Sequence, residues 1–338
     1  MINQPIFFER NRVFRVYLGG KLFHDFFGDA PEDGNYPEEW IASGVRALNK
    51  EQRSEHEGVS KPIGGDIYFD ELLRRYPTEL LGSKGKLRIL VKVLDSAIRL
   101  PAQAHPDRAF SRTYFNSEYG KTESWLILAT RPGAKLFFGF RDGVDEKAFR
   151  AAIEASEYDR DAMERLMCEI EPKAGEMYLV PAKTVHAIGS GCLILEIQEP
   201  TDFTIQPERY CGDYRLSDRE MYLSLDKEDA IKCFSFENSP NPKCIPTQTF
   251  VDNSIKIEAL IGEDKTDCFI INRITLTDGS YTPSIPDSYG IYIVCEGEGT
   301  IRGEGYERKI KKGDYFFMGA IAMGKYKIEG TATLVECY

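Results

Sequence analysis

The stretch KAGEMYLVPAKTVHAIGSGCLILEIQ, residues 173–198, contains two short apolar runs separated by turn residues. Both runs, EMYLVPA and CLILEIQ, are rich in branched or aromatic side chains and are bounded by glycine or proline, which predicts two β-strands. The stretch GEGTIRGEGYERKIKKGDYFFMGA, residues 297–320, repeats this layout, because each stretch places a Lys-x-Gly-acidic turn before a strand that ends near a small residue. The chain is therefore predicted to contain two β modules of the same kind.

Further short runs with strand-like composition occur along the chain, at 87–100, 124–130, 268–276, 289–301, 314–320 and 332–338. Many short strands at similar spacing predict a mainly β fold of the sandwich or barrel type. Helical periodicity is confined to fewer segments, namely 69–82, 142–170 and 216–234. The segment 142–170 has apolar residues three and four apart and predicts two amphipathic helices. We therefore expect a helical insertion, about residues 142–171, in a β framework.

The length of the chain predicts more than one domain. At roughly 150 residues per domain, 338 residues correspond to about two domains. The segment FENSPNPKCIPTQTF, residues 236–250, contains three prolines and little periodicity, which favours a linker. We predict a first domain at 1–237 that carries the helical insertion, a linker at 238–250 and a second domain at 251–338.

Composition limits the classes of partner and the location. The net charge of −11 and the pI near 5.1 argue against a nucleic-acid backbone or an anionic membrane surface as the main partner. No apolar run reaches the about 18 residues that a membrane span needs. The first residues, MINQPIFFERNRVF, lack the layout of a signal peptide, so we expect a cytoplasmic protein. None of the eight cysteines forms a CxxC pair, which favours reduced thiols.

Four residues near predicted strand ends have side chains that can bind a metal. Gln103 and His105 lie two apart in LPAQAHPDRAF and would point to the same side of a strand. Glu123 opens the apolar strand in GKTESWLIL, and His186 lies between two strands. Strand ends from distant sequence converge in a closed β module, and such a mixed N/O set suits a divalent ion such as zinc. The spacing alone leaves open that these are packed or surface residues without a ligand.

Several motifs, taken in order, resemble the type I phosphomannose isomerases (mannose-6-phosphate isomerases). They are VYLGGKLFHDFFG, EEWIAS, QAHPD, GKTESW, VPAKTVHAIGSGCLILEIQEPTDFT and EGEGTI…IKKGDYFFMGA. Each motif is short, and their order and joint presence make the resemblance specific. The resemblance implies two cupin (jelly-roll β-barrel) domains, of which the second has no metal site. It also implies zinc-dependent interconversion of mannose 6-phosphate and fructose 6-phosphate.

The resemblance assigns roles to residues of this chain. It implies one zinc ion per chain, bound by Gln103, His105, Glu123 and His186. It implies that the phosphosugar is bound by Lys92, Lys121 and Glu38, and that Lys121, Glu196 and Arg209 are catalytic. The apolar flanks of Glu196 support a functional role, because burying a carboxylate there is costly. The choice between Glu196 and Glu38 as proton-transfer group stays open, as does the choice between a monomer and a homodimer.

Two positions depart from the pattern of this family. Pro101 replaces a serine that contributes to phosphate binding, and Gln206 replaces an active-site arginine. Glutamine supplies no positive charge, and Arg209 is the nearest residue that could substitute. These departures leave three alternatives open: a cupin that binds metal and sugar without catalysis, an isomerase of a different sugar, and a metal-dependent oxygenase on the same scaffold.

Overall fold

The computed structural model describes residues 2–237 and 241–338, and most of the strand residues among them belong to two large antiparallel sheets. One sheet has seven strands and the other has eight. A three-stranded sheet and a two-stranded sheet complete the set. This arrangement confirms the predicted mainly β architecture with two modules of related layout.

The first module contains the seven-stranded sheet, in the order β13-β8-β5-β10-β4-β3-β2, and the three-stranded sheet β7-β6-β9. The strands up to the end of this module are β1 (Ile6–Phe7), β2 (Arg12–Val13), β3 (Glu38–Ile41), β4 (Leu90–Ser96), β5 (Glu123–Thr130), β6 (Leu136–Phe140), β7 (Met167–Ile170), β8 (Met177–Val180), β9 (His186–Ile188), β10 (Cys192–Gln198), β11 (Tyr210–Cys211), β12 (Tyr214–Arg215) and β13 (Lys243–Cys244). Phe138 and Ile188 of the smaller sheet pack with Trp125 and Ile194 of the larger one, which encloses an interior between the two sheets.

The second module contains the eight-stranded sheet, in the order β1-β19-β17-β20-β16-β15-β14, with β18 paired to β17. Its strands are β14 (Thr247–Val251), β15 (Ile255–Ile261), β16 (Ile271–Tyr281), β17 (Gly290–Gly303), β18 (Tyr306–Lys311), β19 (Tyr315–Met318) and β20 (Lys327–Cys337). The N-terminal strand β1 belongs to this sheet, although the predicted boundary places residues 1–237 in the first domain. The N-terminal strand therefore ties the two modules together.

Helices are short and lie between the strands. They are α1 (Phe23–Phe27), α2 (Phe69–Arg75), α3 (Pro77–Leu81), α4 (Arg108–Phe115), α5 (Glu146–Ala155), α6 (Asp218–Tyr222) and α7 (Lys227–Ile231), with 3-10 turns at Glu164–Leu166 and Ala320–Ala322. The helix predicted at 69–82 is two helices, because Pro77 cannot continue the hydrogen-bond ladder and instead starts α3. Among the described helices, none has the length and apolar character needed to cross a membrane.

The segment 142–170 departs from the predicted pair of helices. Only the first helix, α5, is present; the second predicted helix is a 3-10 turn followed by β7. The strand β7 pairs with β6, for example Leu136 with Ile170. Apolar residues three and four apart satisfy the helical pattern, but β6 offers this segment a strand-pairing partner that sequence periodicity does not register. The insertion is therefore part helix and part strand.

The predicted linker at 238–250 also contains regular structure. Residues 238–240 lie outside the described residues. Beyond them, β13 pairs with β8 of the first module, and β14 pairs with β15 of the second. The segment therefore passes from one sheet to the other and contributes an edge strand to each.

Alternation along β10 determines how the two modules meet. Leu193, Leu195 and Ile197 belong to a large apolar cluster that also contains Phe269, Ile271 and other side chains of the second module. The intervening residues of β10, including Glu196, point to the opposite face. The sheet of the first module therefore buries one face against the second module and turns its other face toward the interior, where the predicted site residues lie.

Candidate active site

Three neighbouring strands bring polar side chains to the interior of the first module. The strand β10 lies between β4 and β5, so that Glu196 is opposite both Lys92 and Trp125. Two residues on, Gln198 is opposite Glu123. Facing residues on neighbouring antiparallel strands lie within side-chain contact. The register therefore places a row of polar groups across the sheet in an otherwise apolar interior.

His105, Glu123 and His186 form a compact buried cluster. Their potential ligand atoms lie within 4.8 Å of one another. The Nε2 atom of His105 is 2.9 Å from one carboxylate oxygen of Glu123, and the Nε2 atom of His186 is 3.3 Å from the other. All three residues are at most 1% exposed. Two imidazoles and a carboxylate at this spacing are a donor set typical of zinc and similar divalent ions.

Both histidines have their second ring nitrogen fixed by the backbone. The Nδ1 atom of His105 is 2.9 Å from the carbonyl oxygen of Phe203, and that of His186 is 2.9 Å from the carbonyl oxygen of Thr184. A carbonyl oxygen can only accept, so each Nδ1 carries the proton and each Nε2 presents a lone pair to the cluster. The Nε2 atom of His186 is buried and has no hydrogen-bond partner among the described residues. The donor set therefore fits a metal ion.

The electrostatics of the cluster favour the deprotonated ligands that a metal requires. Burial, followed by the nearby positive charge of Lys121, lowers the pKa of His105 to about 3. Burial alone would raise the pKa of Glu123, but Lys121 and His105 outweigh it and hold that pKa well below its usual range. Neutral imidazole and ionised carboxylate are the ligating forms of these side chains.

The remaining predicted metal ligand, Gln103, is aligned with His186 through the backbone. The two residues exchange backbone hydrogen bonds of 2.9 Å in each direction. This bridge brings the QAH segment to the start of β9, as the strand-end argument predicted. The involvement of the Gln103 side chain in metal binding stays a prediction.

Lys121 lies at the centre of the metal-ligand cluster. Its Nζ atom is 2.7 Å from Nε2 of His105 and 2.6 Å from a carboxylate oxygen of Glu123. The side chain is 5% exposed. Since the ammonium and a divalent cation would contact the same electron pairs, a bound metal requires Lys121 to turn away from the ligands.

A second charged cluster lies beside the first, around Lys92. The Nζ atom of Lys92 is 3.4 Å from Glu196 and 3.9 Å from each of Glu38 and Asp202. Arg15 joins this cluster, at 2.9 Å from Glu38 and 3.0 Å from Asp202. Two cations therefore face three carboxylates in the same buried region, a combination that costs desolvation energy and is common at functional sites.

The two glutamates of this second cluster differ in their hydrogen bonding. Glu38 accepts hydrogen bonds from Arg15 at 2.9 Å, Tyr17 at 2.7 Å and Trp40 at 2.6 Å. Burial would raise its pKa, but Arg15 and then Lys92 lower it to about 2. The Oε1 atom of Glu196, by contrast, is buried without a hydrogen bond among the described residues.

The proton affinity of Glu196 is also altered. Burial raises its pKa, the positive charge of Lys92 opposes that increase, and the negative charge of Glu123 adds to it. The net result is a pKa above the usual range for a glutamate. A carboxyl group of this kind exchanges protons closer to neutral pH than Glu38 does.

Arg209 makes its contacts with other parts of the first module. Its guanidinium is 3.1 Å from Glu157 and 2.7 Å from Asp218, and it donates to the carbonyl oxygen of Leu216. Gln206 likewise contacts the backbone of residue 220 at 3.4 Å. None of these partners belongs to the metal cluster or to the cluster around Lys92. The structure therefore does not bring Arg209 together with the other predicted site residues.

Sequence analysis missed four residues of the site: Arg15, Tyr17, Asp202 and Gln198. Arg15 and Tyr17 alternate in RVFRVY, a pattern in which polar groups recur on one side of an extended segment. Gln198 follows Glu196 by two residues on β10, so period-two counting would have found it. No local signal identifies Asp202, which lies in the loop after β10.

Comparisons with known proteins agree with this architecture. Residues 264–338 match the family described as mannose-6-phosphate isomerase, cupin domain. A Bacillus subtilis (strain 168) protein named probable mannose-6-phosphate isomerase GmuF is 27% identical over 98% of both chains. The mannose-6-phosphate isomerase of Streptococcus mutans is 32% identical over 60% of this chain and 59% of its own.

Solved structures share the fold over nearly the whole length. The crystal structure of the mannose 6-phosphate isomerase from Bacillus subtilis has a TM-score of 0.77 at 24% identity and covers 99% of both chains. A mannose 6-phosphate isomerase bound with zinc and yttrium has a TM-score of 0.73 at 17% identity, again over 99% of both chains. The ordered motifs, the two β modules and these relatives together make the chain similar to mannose-6-phosphate isomerases over nearly its whole length, and residues 264–338 match the cupin domain of that family.

Proposed function

We propose that the protein is a zinc-dependent isomerase that interconverts mannose 6-phosphate and fructose 6-phosphate. The proposal rests on the proximity of two buried clusters on one face of the sheet. Glu196 of the charged cluster lies two residues before Gln198 on β10, and Gln198 is opposite Glu123 of the metal-ligand cluster. A metal site beside a carboxyl group with a raised pKa is what a proton shift next to a carbonyl requires.

Zinc would be held by His105, Glu123 and His186, with Gln103 as the fourth ligand of the proposal. When bound, it would supply Lewis acidity, which stabilises negative charge that develops on a carbonyl oxygen. The Nδ1 hydrogen bonds of the two histidines fix the rings in the orientation that leaves both Nε2 atoms available.

Glu196 is the group we assign to proton transfer, because it combines a raised pKa with a buried oxygen atom, Oε1, that accepts no hydrogen bond within the described residues and has the Lys92 ammonium at 3.4 Å. It would take the proton from C2 of the aldose and return it to C1, while the proton of the C2 hydroxyl passes to the C1 oxygen, which gives the ketose. Glu38 is held ionised by Arg15, Tyr17 and Trp40, so it would orient the sugar through hydrogen bonds. This assigns separate roles to the two carboxylates that sequence analysis left open.

The cations at the site would bind the substrate's oxygen atoms and its phosphate. We assign this role to Lys92 and Lys121, and add Arg15, which supplies a buried guanidinium at the cluster around Lys92. The expectation that Arg209 is catalytic stays a prediction, although its contacts with Glu157 and Asp218 favour a role in holding the insertion in place.

The direct test is to follow fructose 6-phosphate formation from mannose 6-phosphate, with the metal content measured on the same sample. Turnover that a chelator removes and zinc restores would support the proposal and would show that Pro101 and Gln206 are tolerated. A fully zinc-loaded protein without turnover would contradict it. Binding of unphosphorylated and other phosphorylated sugars would then separate a binding protein from an isomerase of another substrate.

A further inference from the structure

A cavity at the outer edge of the first module is lined by none of the residues of the two clusters described above. It has a volume of about 300 Å³ and is formed mainly by residues 9–12 and 53–61. Its walls adjoin β2, the edge strand of the seven-stranded sheet. The volume is at the lower end of the range for pockets that bind small molecules.

The cavity is basic on an acidic protein. Four cationic side chains line it, those of Arg10, Arg12, Arg53 and Lys61. Only two carboxylates, Glu9 and Glu57, are on the same walls. The chain as a whole carries a net charge of −11, so the sign of the charge in the cavity is opposite to that of the molecule. Such a local reversal favours an anionic ligand.

Two of these four cations have no acidic partner. Arg12 is paired with Asp29 and Glu39. Lys61 is 3.5 Å from Glu9. Within the described residues, Arg10 and Arg53 form no ion pair with a carboxylate. Their positive charges are therefore available to a ligand.

Aromatic rings hold both of these arginines. The guanidinium of Arg53 lies 3.4 Å from the ring centre of Phe14, and that of Arg10 lies 4.2 Å from the ring centre of Phe27. A guanidinium placed over a ring keeps its N–H edges free for an oxyanion and loses less side-chain entropy on binding. The two groups are thus oriented in advance of any ligand.

A separate observation comes from His56 on the wall of the same cavity. Its ring stacks on Tyr68 at 3.8 Å between centres, which fixes its orientation. Its Nδ1 atom is buried and makes no hydrogen bond within the described part of the chain. A buried polar atom without a partner is unusual and is readily explained by a ligand that completes it.

We propose that this cavity binds a phosphate-bearing small molecule, separately from the catalytic site. A tetrahedral phosphate offers several oxygen atoms, which suits donors that approach from different segments, such as Arg10, Arg53 and His56. The volume is sufficient for a phosphate ester of a small polyol.

One contact connects the cavity with the catalytic side of the sheet. Gly58 lines the cavity, and a Cβ atom at this position would be 2.8 Å from the ring of Trp40. Trp40 in turn donates a hydrogen bond of 2.6 Å to Glu38. Ligand binding should therefore change the emission of Trp40, which is one of only two tryptophans in the chain.

The test titrates the zinc-loaded, full-length protein with inorganic phosphate and, separately, with glycerol 3-phosphate, by calorimetry and tryptophan emission. The double variant Arg10→Gln/Arg53→Gln should raise the Kd of the site about 100-fold, because each arginine supplies a charge-assisted hydrogen bond. Tighter binding of the ester would identify an organic phosphate as the ligand, and equal binding would identify the free anion.

The matched control is Arg308→Gln, since Arg308 also lies over an aromatic ring, that of Phe7 at 3.5 Å, but does not line the cavity. It should leave the Kd unchanged, and kcat for the sugar phosphate should be unchanged in all variants. The double variant also removes the hydrogen bond from Arg10 to the carbonyl oxygen of Gly313. The single variant Arg53→Gln keeps that contact and should still raise the Kd at least tenfold. Equal affinity in wild type, the double variant and the control would overturn the proposal.

Discussion

Two buried glutamates in the two modules show how the same framework serves different purposes. Glu196 on β10 and Glu336 on β20 lie on interior strands of their sheets and are each 3% exposed. Glu336 accepts hydrogen bonds from Tyr281 at 2.7 Å, Tyr292 at 2.9 Å and Asn272 at 2.9 Å. Glu196 has a cation, Lys92, at 3.4 Å and an oxygen atom without a hydrogen bond within the described residues.

The difference follows from the cost of burying a carboxylate. A buried charge is tolerated when hydrogen bonds replace its lost hydration, as three neutral donors do for Glu336. Glu196 is left incompletely bonded, so its burial costs stability unless a ligand completes it. Incomplete bonding in one module and complete bonding in the other therefore separates a functional carboxylate from a structural one.

The largest effect is expected from His105→Ala. Loss of one metal ligand should remove zinc and reduce kcat/KM by about 1,000-fold or more, because the Lewis acid supplies several kcal/mol of stabilisation. Metal analysis and the isomerase assay on the same sample check this. The control is Tyr281→Phe in the second module, which should leave zinc content and turnover intact; activity of the His105 variant at low zinc occupancy would refute the metal site.

The next effect tests the two glutamates directly. Glu196→Gln should lower kcat by about 100-fold or more, because a positioned proton-transfer group typically contributes that much. Glu336→Gln should leave kcat near the wild-type value and should reduce the free energy of unfolding by about 1–3 kcal/mol, since the amide disturbs a complete hydrogen-bond set. Kinetics and urea unfolding of both variants check this. A large loss of kcat in the Glu336 variant, with kcat unchanged in the Glu196 variant, would contradict the distinction between functional and structural carboxylates.

A smaller effect compares two arginines. Arg15→Gln should raise KM for the phosphosugar by about 10- to 100-fold, because it removes charged hydrogen bonds from the cluster around Lys92. Arg209→Gln should leave KM and kcat within a few-fold of wild type, since Arg209 contacts Glu157 and Asp218 instead. Steady-state kinetics decide this. A large loss of kcat in the Arg209 variant would instead support its predicted catalytic role.

The smallest effect is on the pH dependence of stability in the metal-free protein. Burial raises the pKa of Glu196, so the folded state binds the proton more tightly than the unfolded state. Its contribution to stability is then greatest below its ordinary pKa of about 4.3 and is lost as pH rises toward the raised folded value. Glu196→Gln should therefore become more stable relative to wild type as pH increases through this window.

Chemical unfolding at several pH values measures that difference, and Glu304→Gln, at an exposed position, is the control for the loss of a carboxylate. A difference between wild type and the Glu196 variant that does not change with pH would contradict the raised pKa. It would also weaken the contrast with Glu336.

Local sequence predicted the parts of the site that lie on strands or close to their ends. The apolar flanks of Glu196 and the strand-end positions of His105, Glu123 and His186 follow from period-two alternation and turn residues. The same local rules failed at 164–170, where pairing with β6 produced a strand in place of a helix. The catalytic role of Arg209 came instead from the family resemblance, in which Arg209 is the nearest cation to Gln206, and it stays a prediction.

The sequence by itself determined the two β modules, the alternation that separates their faces and the residues that can bind a metal. Tertiary structure decided which charged groups meet. Arg15 and Asp202 are 187 residues apart and contact each other only because the chain before β3 and the loop after β10 converge at one end of the interior. Such contacts depend on sheet register and loop path, which are set by packing over the whole chain and leave no periodic signal in either segment.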